Sequence, residues 1–179
     1  MGVYLWVDAD ITETYTVAKQ TSSSGTASMW EVNIAKSGYK ITRVVIETSW
    51  QSSWSSNRWN MNSYVVDSAW SNSSKKFFRY WIWYWANNYA RLEYNNGSST
   101  TNTYNFTWYS RTENNICTFV MERTWWSATI NWTTTTWTYS SAEETIALAI
   151  LDSATPYVSI QTTQWTNWPA TITVTYEPI

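Results

Sequence analysis

The sequence predicts an antiparallel all-β sandwich, jelly-roll-like, with at most one short helix. Three observations carry that expectation. Apolar and polar residues alternate with a period of two from one end of the chain to the other. The composition holds 16 Trp and 13 Tyr in 179 residues, and aromatic and β-branched side chains suit a pleated, half-buried surface. Good helix formers such as Leu, Lys and Glu are scarce. At this length the chain is expected to form a single domain, 1–179, with a full core.

The strands read in order. Trp30, Val32 and Ile34 alternate with Glu31 and Asn33. In the next segment Lys40, Thr42, Val44, Ile46 and Thr48 are set against Tyr39, Ile41, Arg43, Val45 and Glu47. Phe77 to Trp85 is apolar on both faces, with Phe77, Trp81, Trp83 and Trp85 on one side and Phe78, Tyr80, Ile82 and Tyr84 on the other. Such a strand should be central or should hide a face under a partner. Asn87-Asn88 suits a tight turn and Asn95-Asn96-Gly97 a looser one, which makes this region a meander. Tyr104, Phe106 and Trp108 alternate, Val158 and Ile160 share a face, and Ile172, Val174 and Tyr176 oppose three threonines. With weaker segments the tally is about ten to thirteen strands, as in a two-sheet fold. Ser140 to Leu151 resists the pattern. A capping box, Ser140 to Glu143 or Ser141 to Glu144, favours a helix. The alternation of Ile146, Leu148 and Ile150 favours a strand, and the strand neighbours tip the reading to strand.

Composition excludes several function classes. Charged residues are 13% of the chain with a net charge of −2, and the basic residues are scattered, so nucleic acid is not an expected partner. There is no His, which removes Ser-His-Asp and Cys-His catalysis and histidine metal ligation. None of the four Gly stands in a phosphate-loop spacing. Cys117, the single cysteine, sits in an apolar run and reads as a buried small hydrophobe. No cofactor and no metal are expected. Two carboxylates would suffice for a glycosidase, but the spacing of Asp67, Glu93, Glu122 and Asp152 selects no pair, so no enzyme activity is expected. No apolar run is long enough to span a membrane, and the N-terminal residues do not read as a signal peptide.

The tryptophans are the informative residues. Indole faces stack on the apolar side of a sugar ring, while Asn, Gln and Ser bond its hydroxyls. Trp50, Trp54 and Trp59 with Asn57 interleaved have this chemistry, and so do Trp165 and Trp168. These are the candidate carbohydrate-binding residues. Trp81, Trp83 and Trp85 read as core or as an oligomer interface, because large aromatics dominate both; Trp126 and Trp132 read the same way.

The block Ala154 to Thr163 together with Pro169 to Glu177, and the segment Gly38 to Glu47, resemble β-sandwich modules of phage tail fibres and related virion appendages. The likeness covers roughly a third of the chain in sheet pattern alone. It implies a jelly-roll-like fold and a structural or host-attachment role, with no functional residue carried over. The expectation is a non-enzymatic virion or extracellular appendage protein that assembles with itself or other virion proteins and contacts cell-surface glycan. The alternative is a free carbohydrate-binding lectin. A mature secreted protein that has lost its leader fits the charge-poor composition equally well.

Overall fold

The computed structural model describes residues 9–18, 28–50, 59–69, 74–84, 89–98, 101–106, 115–130, 133–163 and 169–179. They form β1 (Ile11–Val17), β2 (Ser28–Asn33), β3 (Tyr39–Trp50), β4 (Trp59–Val66), β5 (Lys76–Tyr84), β6 (Tyr89–Asn96) and β7 (Thr101–Phe106). These are followed by β8 (Asn115–Glu122), β9 (Trp125–Ile130), β10 (Thr133–Thr138), helix α1 (Ser141–Leu151), β11 (Tyr157–Thr163) and β12 (Ala170–Pro178). One sheet runs β1-β12-β3-β8-β9-β10 and the other β2-β11-β4-β5-β6-β7, and every pairing is antiparallel. The all-β sandwich read from the sequence is the fold observed.

Alternation decides what lies between the sheets. Ala170, Ile172, Val174 and Tyr176 of β12 are buried, while Thr171, Thr173 and Thr175 between them face outward. Val158 and Ile160 of β11 meet them from the opposite sheet in the same core. The aromatic centre lies under β5. Phe78 meets Trp126 edge-on with centroids 4.8 Å apart, and Tyr80 stacks on Phe119 at 6.4 Å. These contacts place β8 and β9 over β5. The strand with two apolar faces is indeed interior, between β4 and β6.

Two sequence expectations need correction. Simple alternation along β3 puts Ile41 and Val44 on opposite faces, yet both are buried in the core. Thr175 pairs with Arg43 and Tyr176 with Ile41, which leaves Thr42 as an extra residue in a bulge. A bulge resets the side-chain phase by one, so Ile41 and Val44 both turn inward. The lean toward a strand at 140–151 also fails, because the segment is a helix. Ser140 closes a capping box with Glu143, satisfying N-terminal donors that a strand would have left to a neighbour. Ile146, Ala147, Ile150 and Leu151 are the buried apolar residues, a spacing of one helical face that the period-two reading of Ile146, Leu148 and Ile150 concealed.

The helix packs against β3 of one sheet and β5 and β6 of the other, so it closes one end of the sandwich. Arg123 fixes its C-terminal end with paired bonds of 2.8 Å to both Asp152 carboxylate oxygens and a third to the Ile41 carbonyl. At the same end Gly38 takes φ +81°, a backbone that side chains disfavour, and turns the chain into β3. Asn87-Asn88 and Trp108 lie outside the described residues. The Asn95 to Gly97 turn is observed: Gly97 takes φ +90° and its N–H donates to Asn95 Oδ1 at 2.8 Å.

Candidate functional site

The strand register writes out the outer face of the β2–β7 sheet. Along one row Glu31, Ser159, Tyr64, Arg79 and Glu93 stand side by side on successive strands. The next row is Met29, Gln161, Asn62, Trp81 and Arg91. No sequence window shows this grouping, since β5 and β11 are far apart in the chain. Val158, Ile160, Val65, Phe78, Tyr80, Leu92 and Tyr94 of the same strands are in the core, so the residues alternating with them face out.

Arg79 is the hub. Its Nη2 is ion-paired with Glu93 and its Nη1 donates to the Tyr64 hydroxyl at 2.9 Å. Its guanidinium lies 4.9 Å from the Trp81 ring centroid and 5.4 Å from that of Tyr64. Arg91 approaches Trp81 at 5.4 Å and the Glu93 carboxylate at 3.9 Å. Tyr64 and Phe77 pack edge-on at 5.3 Å. Burial pushes the Tyr64 phenol above its ordinary range, against the opposing pull of Arg79, so the ring is a neutral hydroxyl at physiological pH. Glu93 retains only 5% side-chain exposure against 21% for Arg79. A carboxylate that buried is tolerable because a guanidinium faces it directly.

Two polar atoms here stand apart. Asn62 Oδ1 and Arg79 Nε are shielded from solvent and have no hydrogen-bond partner among the described residues. Asn62 is 8% exposed and its backbone pairs directly with that of Trp81. A buried acceptor and a buried donor beside an indole are costly in a bare protein.

The residues expected from the sequence fall as follows. Trp81 is half-buried on this outer face and is not part of the core cluster. Trp83 continues β5 opposite Asn60 of β4 and Tyr89 of β6. Trp50 ends β3 and Trp59 begins β4. Trp54, Asn57, Trp85, Trp165 and Trp168 lie outside the described residues, as does Trp132. The strand ends flanking 51–58 and 164–168 share the end of the sandwich opposite α1. Trp126 is fully buried in the core.

The four acids considered for hydrolysis do not converge. Glu93 faces outward from one sheet, and Glu122 outward from the other, where Arg43 pairs it at 3.1 Å. Asp152 is held by Arg123 beyond the end of α1, and Asp67 follows β4 and accepts from the Ser68 hydroxyl at 3.1 Å. The whole core separates the two glutamates. Cys117 faces the core, where burial pushes its thiol up to about 11.

No protein-family model and no curated protein matches the chain. Solved structures do. The CBM2 module of the evolved Dit of Lactobacillus casei BL23 phage J-1 is 9% identical, with 89% of this chain and 75% of that one covered at a TM-score of 0.49. Congerin II, liganded with lactose and MES, is 10% identical over 79% of this chain and 96% of its own at 0.45. The apo Crh5 transglycosylase is 10% identical over 90% and 83% at 0.49. Binding proteins and an enzyme stand side by side, and at these values no residue role passes to this chain.

Proposed function

We propose that the protein is a non-enzymatic glycan-binding β-sandwich that takes a saccharide on the outer face of β11, β4, β5 and β6, around Trp81. The observation that carries the reading is the patch of aromatic, guanidinium, carboxylate and amide side chains that the register sets side by side on this outer face, Tyr64, Arg79 and Glu93 next to Asn62, Trp81 and Arg91. A sugar matches this set in chemistry, with an apolar ring face that suits aromatic side chains and vicinal hydroxyls that both donate and accept. Arg79 is already anchored by Glu93 and Tyr64, so little ordering entropy would be lost on binding. Hydrolysis is not part of the proposal, since two-carboxylate catalysis needs acids roughly 5–10 Å apart on either side of the bond, and Glu93 and Glu122 lie on opposite faces.

The biological setting we propose is host attachment by a virion or extracellular appendage, where a charge-poor surface lets copies pack closely. The tryptophans Trp50, Trp54, Trp59, Trp165 and Trp168, with Asn57, are a second locus for the same ligand class. A glycan array followed by calorimetry on the best binder tests both loci. Trp81→Ala or Asn62→Ala is expected to weaken binding at least ~10-fold, about 1.4 kcal/mol, while Glu122→Gln leaves it unchanged. If the combined Trp50, Trp54 and Trp59 alanine variant alone loses binding, the locus is the segment from Trp50 to Trp59 and not the outer face around Trp81. An array without any binder ends the reading.

A further inference from the structure

Four strands lie at sheet edges: β1 and β10 in one sheet, β2 and β7 in the other. An open edge offers unpaired N–H and C=O groups and invites another strand unless charge, proline or cover protects it. β1 is protected. Glu13 turns toward the interior, takes the Lys36 ammonium at 2.5 Å and accepts from the Tyr15 hydroxyl at 2.7 Å. Lys36 follows β2, so this ion pair also ties the two sheets together on that side. β2 carries Glu31. β10, Thr133-Thr-Thr-Thr-Trp-Thr138, has no charge and no proline, and β9 is its one strand neighbour among the described residues.

The backbone of β10 can be phased. The hydroxyls of Thr129 and Thr134 meet at 2.8 Å across the β9–β10 pair. So close a contact marks a non-hydrogen-bonded pair, in which both backbones point away from each other. Thr134, and by alternation Thr136 and Thr138, therefore present N–H and C=O outward from the sheet edge. The same three residues are exposed on the sheet's outer face.

We infer that β10 is a homodimer edge, which pairs antiparallel with β10 of a second copy and makes one continuous twelve-strand sheet. The strand is self-complementary for this. With Thr136 on the two-fold axis, Thr134 lies opposite Thr138 of the second copy, and every outer-face pair is Thr against Thr, a favourable cross-strand match. A net charge of −2 per chain opposes this only weakly. The axis is perpendicular to the sheet, so like faces of both copies look the same way. The two Trp81 faces then point in one direction, an arrangement suited to bivalent attachment to a surface. Dimerisation itself does not depend on the glycan reading.

Sedimentation velocity of the full chain over a wide concentration series tests it. The wild-type protein is expected to dimerise. Thr134→Lys with Thr138→Lys places two like-charge pairs across the joint and is expected to weaken association ~10-fold; Thr134→Glu with Thr138→Glu does the same. An equimolar mixture of the two variants restores the dimer through opposite charges. Both positions are exposed, and unchanged circular dichroism confirms that the variants fold. A monomeric wild type, a dimer unaffected by either variant, or a mixture that fails to reassociate overturns the inference.

Discussion

Trp126→Phe separates scaffold indoles from surface ones. Trp126 is fully buried, with Phe78 at 4.8 Å, Trp137 at 5.9 Å and Phe119 at 6.3 Å around it. Phenylalanine keeps an aromatic ring but removes about 50 Å² of buried surface, worth ~1.3 kcal/mol at ~25 cal/mol per Å². The space left is on the order of 40 Å³, and at ~24 cal/mol per Å³ it adds ~1 kcal/mol. The sum is ~2 kcal/mol, or about 4–8 °C in Tm for a chain of this size. Trp81→Phe, at a half-buried outer position, is expected to cost less than ~1 kcal/mol. Urea unfolding followed by far-ultraviolet circular dichroism reads both, with m-values compared to check that the denatured states match. If Trp126→Phe costs no more than Trp81→Phe, the assignment of Trp126 to the packed centre and Trp81 to the surface is wrong.

Ser140→Ala removes the N-cap that receives the Glu143 N–H and donates at 2.6 Å to its carboxylate, and is expected to cost ~1 kcal/mol in the same unfolding assay; no loss would mean that the helix is held by packing alone. Cys117, with its thiol pushed up to about 11 by burial, is expected to stay silent to a thiol-specific disulfide reagent at pH 8 in the native protein and to react once denaturant is added. Labelling of the native protein at the rate of a free thiol would refute its placement between the sheets.

Alternation made the sheets legible because one face of each strand is buried. Ile172, Val174 and Tyr176 could be assigned to one face from the sequence alone, and they are buried together. It failed where the phase changes. The bulge at Thr42 shifts β3 by one residue, and nothing in Tyr39 to Glu47 announces it, because apolar residues stand on both sides of the break. The helix was written in the sequence twice, in the Ser140–Glu143 box and in the spacing of Ile146, Ala147, Ile150 and Leu151. The shorter alternation of Ile146, Leu148 and Ile150 masked it. The candidate site was the least legible part. Arg79 and Glu93 meet only because β5 and β6 pair in one register, and Asn62 and Gln161 arrive from β4 and β11. One local signal did exist: Arg79 is the single charge after Lys76 in a strand otherwise made of aromatics and Ile, and a charge there needs a partner.

That charge also explains how a central strand can be aromatic on both sides. On the inner face Phe78 and Tyr80 are covered by the opposite sheet. On the outer face Phe77 and Trp81 are half-buried, and a bare row of such rings would be a liability for aggregation. Arg79 answers this by lying against Phe77, Trp81 and Tyr64 at once, a cation over ring faces that water can still reach in part. Its anchors make the arrangement rigid. Glu93 and the Tyr64 hydroxyl fix the two ends of the fork, so the guanidinium cannot swing away to solvate itself or to let the rings collapse together. A surface kept apart in this way retains its shape without a ligand, while its Nε and the neighbouring Asn62 oxygen go unsatisfied. Stability alone would favour an apolar patch packed flat or a polar row fully paired, since a half-satisfied polar network is less stable than either. The costlier arrangement at the centre of the sheet is what the proposed binding role would call for: aromatic area held in place beside charged and amide side chains.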